Sequence, residues 1–253
     1  MSRALHYNVD NGRPARVVSR EVNGLLAEFR PRVAVLTETI GLDLEPTPGW
    51  TQVRDRSRPG RANVTMLVRE DCELGRPWWV DCTETWTRWE PPGTDAQHWP
   101  RSFVVARVGR FQVLGAHQPP QGTDNTYDAQ LEQLDKLTAV MSPWKHPGRK
   151  VCTADELDAM RARPRLLLWD PNRHPEAMDG PGPALLAERI RGKAHGAATD
   201  GAVTRMVAVV PDRKLHDRTE AYPKSAGGVE LRSDHGRAYV LSLGTTRESW
   251  GAR

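Results

Sequence analysis

The chain has 253 residues, 38% of them hydrophobic and 27% charged, with a formal net charge of +4 at neutral pH. Its mean hydropathy is −0.62, and no stretch approaches the about 20 consecutive apolar residues of a helical membrane span, which excludes that class. The three cysteines, Cys72, Cys82 and Cys152, are odd in number and lack metal-ligand spacing, so a disulfide framework and a cysteine-based metal site are excluded as well.

Residues 3–9 alternate and run into Asp10-Asn11-Gly12, which predicts a first strand closed by a turn. Val17, Val18, Val22, Leu25, Leu26 and Phe29 then fall at helical spacing behind Pro14, a residue suited to a first helical turn. Residues 32–38 form a short apolar strand. Another at 63–68 is entered from an arginine-rich loop at 56–61. Residues 78–89 alternate, with Thr83, Thr85 and Thr87 suited to a strand. Segments 102–108 and 111–116, joined at Gly109-Arg110, read as a hairpin. Leu131, Leu134, Leu137 and Val140 place a helix over 127–141, and Thr153 is positioned to cap a shorter one over 154–162. A strand at 165–169, a helix at 183–191 and a strand at 204–210 follow. The charged stretch 211–232, which contains Gly227-Gly228, is expected to be a long loop, and 238–243 a closing strand. Many short strands with few helices, and neither a repeat nor a dividing linker, predict a layered α/β sandwich forming one domain over 1–253. An N-terminus without a long apolar region adds the expectation of a cytoplasmic protein.

Five of the apolar runs end in groups able to do chemistry. They are Asn8 and Asp10 after the first strand, Glu38, His117, the pair Asp170 and Asn172, and Ser233-Asp234-His235 just before the last strand. Glu38 ends a buried strand, where an unpaired charge is expensive and a cation bound by oxygens is one remedy. Asp170 and Asn172 lie two apart, which in an extended segment puts both side chains on one side. Pro171 restricts the backbone between them. A carboxylate there would take a proton from water while the amide orients it. Histidines beside a phosphate would stabilise developing negative charge. Taken singly, a turn, a salt bridge or an ordinary surface histidine explains each of these residues. Their order along the chain carries the argument.

The ordered set Tyr7-Asn8-Val9-Asp10, Leu36-Thr37-Glu38-Thr39, His117 before Pro119-Pro120, Asp170-Pro171-Asn172, Asp200 and Ser233-Asp234-His235 resembles the endonuclease/exonuclease/phosphatase superfamily, the DNase I-like fold. The resemblance spans Ala4 to Leu243. It implies a four-layered α/β sandwich, two mostly antiparallel sheets packed face to face with outer helices, and metal-dependent phosphoester hydrolysis. By the same implication Glu38, assisted by Asn8, Asp10 and Asp234, would bind Mg²⁺ or Mn²⁺. Asp170 would activate water and Asn172 would position it or the phosphate. His117, and His235 held by Asp200, would contact the phosphate. The chain departs from the usual pattern in placing Trp169 where glycine is usual before the aspartate, Pro171 for the hydrophobic middle residue, Thr37 for glutamine, and Gly201-Ala202 after Asp200. Trp169 and Pro171 are expected to reshape the pocket floor.

Substrate is the softer inference. Thirty of the 36 basic residues are arginine, whose guanidinium forks onto phosphate oxygens, although a GC-rich bacterial or phage gene produces the same excess. Arg58 and Arg61 lie in a basic loop that would track a phosphate backbone. Trp89 belongs to a group with Trp78, Trp79, Trp86 and Trp99 that would either stack on bases or pack inward. DNA is therefore the expected partner, with no membrane and no obligate protein partner indicated. The alternatives are a phosphatase or phosphodiesterase for a lipid head group, nucleotide or sugar phosphate, and a non-catalytic nucleic-acid-binding protein on the same fold.

Overall fold

The structure is a computed structural model that describes residues 2–10, 12–45, 47–54, 63–81, 102–118, 124–142, 164–172, 182–199, 203–210, 218–233 and 236–244. The N-terminal elements are β1 (Ser2–Asn8), α1 (Ala15–Phe29), β2 (Val33–Thr37), β3 (Trp50–Val53) and β4 (Val64–Arg69). Next come β5 (Trp78–Asp81), β6 (Ser102–Val108), β7 (Phe111–His117), α2 (Asp124–Met141) and β8 (Arg165–Asp170). The chain continues through α3 (Pro183–Ile190), β9 (Lys193–Thr199), β10 (Val203–Val210) and β11 (Arg218–Ala221). It closes with β12 (Ser225–Ala226), β13 (Val229–Glu230) and β14 (Tyr239–Leu243).

Two six-stranded sheets result, ordered β11-β14-β1-β2-β4-β3 and β5-β6-β7-β8-β10-β9, with β12-β13 as a small ribbon. Strand parity decides the layers, because successive side chains point to opposite faces. Ala4, Val33, Val35, Met66 and Val68 of the first sheet join Val104, Ala106, Val113, Leu166 and Leu168 of the second in one core. The alternate residues Leu5, Ala34, Leu36 and Leu67 pack outward with Val18, Val22, Leu25 and Leu26 of α1. On the far side Val105, Leu114, Leu167 and Trp169 pack with Leu134 and Leu137 of α2 and Leu186 of α3. The order is thus helix, sheet, sheet, helices. Only β1–β2 and β7–β8 pair in parallel; the other pairings among the described strands are antiparallel.

Local chemistry explains the helix ends. Pro14 sits at the N-cap of α1, one residue outside the position its sequence suggests, and its carbonyl accepts from Val17 and Val18. In α3 proline occupies the first turn after Gly182, where its missing N–H is not needed. Both helices end in a left-handed arginine, Arg30 and Arg191.

One expectation is corrected and two strands come unanticipated. Residues 211–232 are not a single loop, since β11 pairs with β14 and β12-β13 forms a ribbon. That ribbon lies against α1, where a Cβ on Gly24 would come within 2.5 Å of the Ala226 carbonyl oxygen. Strands β3 and β9 also form at the sheet edges, although Trp50-Thr51-Gln52-Val53 is too short and polar, and the glycine- and alanine-rich run at 193–199 too small in side chains, to signal a strand. The strand expected over 78–89 is observed through Asp81; its remainder and the helix expected at 154–162 lie outside the described residues. Among the described residues no helix is long and apolar enough to cross a membrane.

One buried group makes stability pH-dependent. His6 of β1 is fully buried, its Nε2 lies 3.4 Å from Thr37 Oγ1, and its Nδ1 has no hydrogen-bond partner among the described residues. Burial holds its pKa down at about 3, from an ordinary 6.5. A base depressed in this way leaves the unfolded chain binding more protons, so stability present above the ordinary value is lost as pH falls toward the folded one. The urea midpoint should therefore drop between pH 7 and pH 5, and His6→Gln should flatten that segment of the profile. An equal slope in the variant would assign the acid sensitivity to other groups.

Candidate active site at the shared strand edge

The two parallel pairs face each other across the core and end at the same edge. In β1–β2 Asn8 is opposite Thr37, and in β7–β8 His117 is opposite Asp170. Parity makes each of these the last core-facing residue of its strand. Ala4, His6 and Asn8 form one such column, Val113, Gly115 and His117 another, and Leu166, Leu168 and Asp170 a third. The apolar core therefore ends in a polar cap. The sheets approach closely just behind that cap, because a Cβ on Gly115 would stand 2.8 Å from Val35 Cγ1 and 3.0 Å from Val64 Cγ1.

Asn8 joins the two sheets. Its Nδ2 donates to Glu38 Oε1 at 3.1 Å and to Asp170 Oδ2 at 2.8 Å. Its Oδ1 accepts from the Asp10 amide at 2.9 Å. His117 Nε2 lies 3.6 Å from Glu38 Oε1 and 3.7 Å from Asp170 Oδ2. His117 is 2% and Asp170 0% exposed, whereas Glu38 is 25% exposed and forms the open side. The Asp10 carboxyl is pushed up in pKa by partial burial first and by the Glu38 charge second.

Both imidazole nitrogens meet carboxamides, with Asn63 Nδ2 placed 2.7 Å from Nδ1 and Asn172 Nδ2 placed 3.0 Å from Nε2. A neutral imidazole has a single acceptor nitrogen, so two amide N–H groups cannot both donate to it. Asn172 Nδ2 also donates to the Gln118 carbonyl, which fixes that amide. The Asn63 amide meets the other nitrogen through its oxygen or its N–H according to the imidazole's tautomer.

Three site residues adopt left-handed backbone: Asp10 (φ 59°), Glu38 (φ 60°) and Asn172 (φ 49°). The other two non-glycine residues with positive φ among those described are the helix-ending Arg30 and Arg191. Such conformations cost non-glycine residues on the order of 1 kcal/mol each, and here each turns a side chain into the site just past a strand end.

Of the residues anticipated from sequence, Asn8, Asp10, Glu38, His117, Asp170 and Asn172 are brought together. Asp200, Asp234 and His235, and the substrate candidates Arg58, Arg61 and Trp89, lie outside the described residues. Two details are corrected. Asp170 and Asn172 do not share an extended segment, because Asn172 is left-handed and its amide donates to Asp170 Oδ1 at 3.1 Å in a side-chain turn. Trp169 does not form the pocket floor, since parity buries its ring on the outer face with α2 and α3.

Sequence reasoning missed Asn63 and the helix side of the site. Asn63 precedes β4, whose Val64 is opposite Thr37, and its position just before a strand was the available signal. On α2, Gln133 Nε2 donates to the His117 carbonyl at 3.0 Å, and Gln118 Nε2 donates to the Gln130 carbonyl at 3.3 Å. Gln130 and Gln133 are both buried, and buried glutamines among the leucines of a helix mark such a tether.

One ligand atom each from Glu38, His117 and Asp170 lies within 4.8 Å of the others. Two carboxylates and an amide-rich surround suit a hard divalent cation, which takes oxygen ligands and keeps part of its water shell. Replacing Asn8 by leucine removes the donor shared by both carboxylates. It should cost about 1–3 kcal/mol for the donor lost at the buried Asp170 oxygen, measured as the shift in urea unfolding in the presence of EDTA.

No protein-family model and no curated protein matches the sequence. Solved structures do match over nearly the full length. A humanized D. rerio TDP2 aligns with TM-score 0.61 at 14% identity, covering 96% of this chain and 99% of its own. An AP endonuclease from Archaeoglobus fulgidus aligns with TM-score 0.59 at 12% identity, and 97% of this chain and 100% of that one are covered. The mannosyl-6-phosphatase Bt3783 of Bacteroides thetaiotaomicron gives TM-score 0.58 at 12% identity with the same coverage. At such identities the shared property is the fold.

Proposed function

Starting from the DNase I-like fold of the endonuclease/exonuclease/phosphatase superfamily, which this chain carries, we propose that it is a divalent-metal-dependent phosphodiesterase acting on DNA. The supporting observation is the convergence of Asn8, Glu38, His117, Asp170 and Asn172 from two sheets onto one edge. On this reading the whole chain works as one domain. Glu38, with Asn8, Asp10 and Asp234, would hold Mg²⁺ or Mn²⁺, whose charge would supply stabilisation for the phosphoryl and leaving oxygens. Asp170 takes the proton of the attacking water, and Asn172, fixed by the Gln118 carbonyl, orients that water or a phosphate oxygen. His117, and His235 supported by Asp200, stabilise the charge gathering on the non-bridging oxygens. Arg58, Arg61 and Trp89 engage the backbone and a base.

Two similar proteins favour DNA as the substrate class: the archaeal AP endonuclease, and D. rerio TDP2, solved with a single-strand DNA product. A second reading, a phosphatase for a small phosphoester, is favoured by Trp78. This residue is buried at 6% exposure in the outer core of the second sheet rather than offered to bases. The mannosyl-6-phosphatase aligns about as well as the AP endonuclease does.

The deciding experiment incubates the protein with supercoiled plasmid and Mg²⁺ or Mn²⁺, beside EDTA and Glu38→Ala controls, and in parallel with sugar phosphates. Metal-dependent nicking is expected. Glu38→Ala should abolish it, and Asp170→Asn should reduce it by about 100-fold or more. Phosphate release from the sugar phosphates without nicking would establish the second reading. Full rates in both variants would overturn the mechanism.

A further inference from the structure

One buried carboxylate takes no part in this chemistry. Glu21 lies on the inward face of α1, at i+3 from Val18 and i−4 from Leu25, and its side chain is 1% exposed. Tyr7 Oη donates to its Oε2 at 2.5 Å. Arg13 grips both oxygens, Nη1 at 3.0 Å from Oε2 and Nη2 at 2.5 Å from Oε1. The Arg232 backbone N–H donates to Oε1 at 3.3 Å.

The partners show what is being held. Tyr7 immediately precedes Asn8. Arg13 Nη1 also donates to the carbonyl of Val9, which lies between Asn8 and Asp10, and the Arg13 backbone amide closes a turn onto the Asp10 carbonyl at 3.4 Å. Burial, and after it the hydrogen bond to Glu21, push the Tyr7 phenol up in pKa, so it stays a donor. Arg232 belongs to the segment leading into β14, which pairs with β1. A largely buried ion pair with two added donors is far more apparatus than fastening α1 to its sheet requires, since Val18, Val22, Leu25 and Leu26 already do that.

We propose that Glu21 is a positioning residue for the cation site: through Tyr7 and Arg13 it sets the placement of Asn8 and Asp10, and through Arg232 it locks that limb to the strand segment beside it. The proposal rests on the metal-dependent reading above and goes beyond it, because Glu21 touches neither cation nor substrate. It requires that loss of Glu21 weaken cation binding more than its effect on stability accounts for.

The test is calorimetric titration of the metal-free full chain with Mn²⁺, together with hydrogen exchange at the Asp10 amide, which is bonded to Asn8 Oδ1 rather than to Glu21. Glu21→Gln keeps the shape and removes the charge. It is expected to weaken Mn²⁺ binding about tenfold or more, as loss of groups behind metal ligands does, and to speed Asp10 exchange. Leu25→Ala, a cavity on the same helix, lowers the melting temperature but is expected to leave both readouts unchanged. Wild-type Mn²⁺ affinity and Asp10 exchange in Glu21→Gln would overturn the proposal, as would an equal loss in Leu25→Ala. If Glu38→Ala binds Mn²⁺ as the wild type does, the metal reading itself falls, and Asp10 exchange then decides the role of Glu21 alone. Should Glu21→Gln fail to fold, Tyr7→Phe removes one link and carries the same expectation in smaller measure.

Discussion

A pocket assembled from two different sheets exists only where those sheets come close, and here a missing side chain sets the approach. Gly115 faces Val35 and Val64 across the core, and a Cβ would stand 2.8 Å from the nearest methyl. Two residues further along β7 the same face presents His117, and opposite it Glu38 follows the strand that holds Val35. The 3.6 Å separation of His117 and Glu38 is therefore an outcome of packing behind the site. A wedge of a single methyl group at Gly115 would act on a distance that no residue of the site controls by itself.

The core is graded along its length. At one end the sheets share aliphatic side chains; toward the strand ends come His6 and Thr37, and then Asn8, Asp170 and His117. The polar groups at the strand ends are matched by hydrogen-bonding partners, as burial demands, whereas His6 deeper in the core leaves its Nδ1 unmatched among the described residues. The outer helices take part in that matching. From α2 the glutamines hold the end of β7, and from α1 Glu21 holds the end of β1. Helices α1 and α2 do more than cover apolar faces: each makes buried polar contacts with a limb of the site.

Much of this was legible in the sequence. Strands buried on both faces advertise themselves as apolar runs, and the polar residues terminating them mark the edge where they converge. What escaped has physical causes. The edge strands β3, β9 and β11 are recruited by the ladders of β4, β10 and β14, so their own composition carries little signal. Asp170 and Asn172 do lie together, but through a side-chain turn and a left-handed residue instead of the strand alternation their spacing suggests. The effect assigned to Trp169 fails on parity alone, being one residue out of phase with Asp170. Asn63 and Glu21 act through partners distant in the chain, Asn63 on His117 and Glu21 on Tyr7 and Arg232. No local pattern announces such partners, although a charge inside the apolar stripe of α1 was a visible irregularity.

The left-handed backbones at Asp10, Glu38 and Asn172 have a consequence on an evolutionary scale. At each of these positions glycine would relax the main chain while deleting the side chain on which the site depends. Folding and chemistry therefore pull in opposite directions at these places. In a lineage that no longer needs the pocket, selection for stability alone would convert them to glycine early.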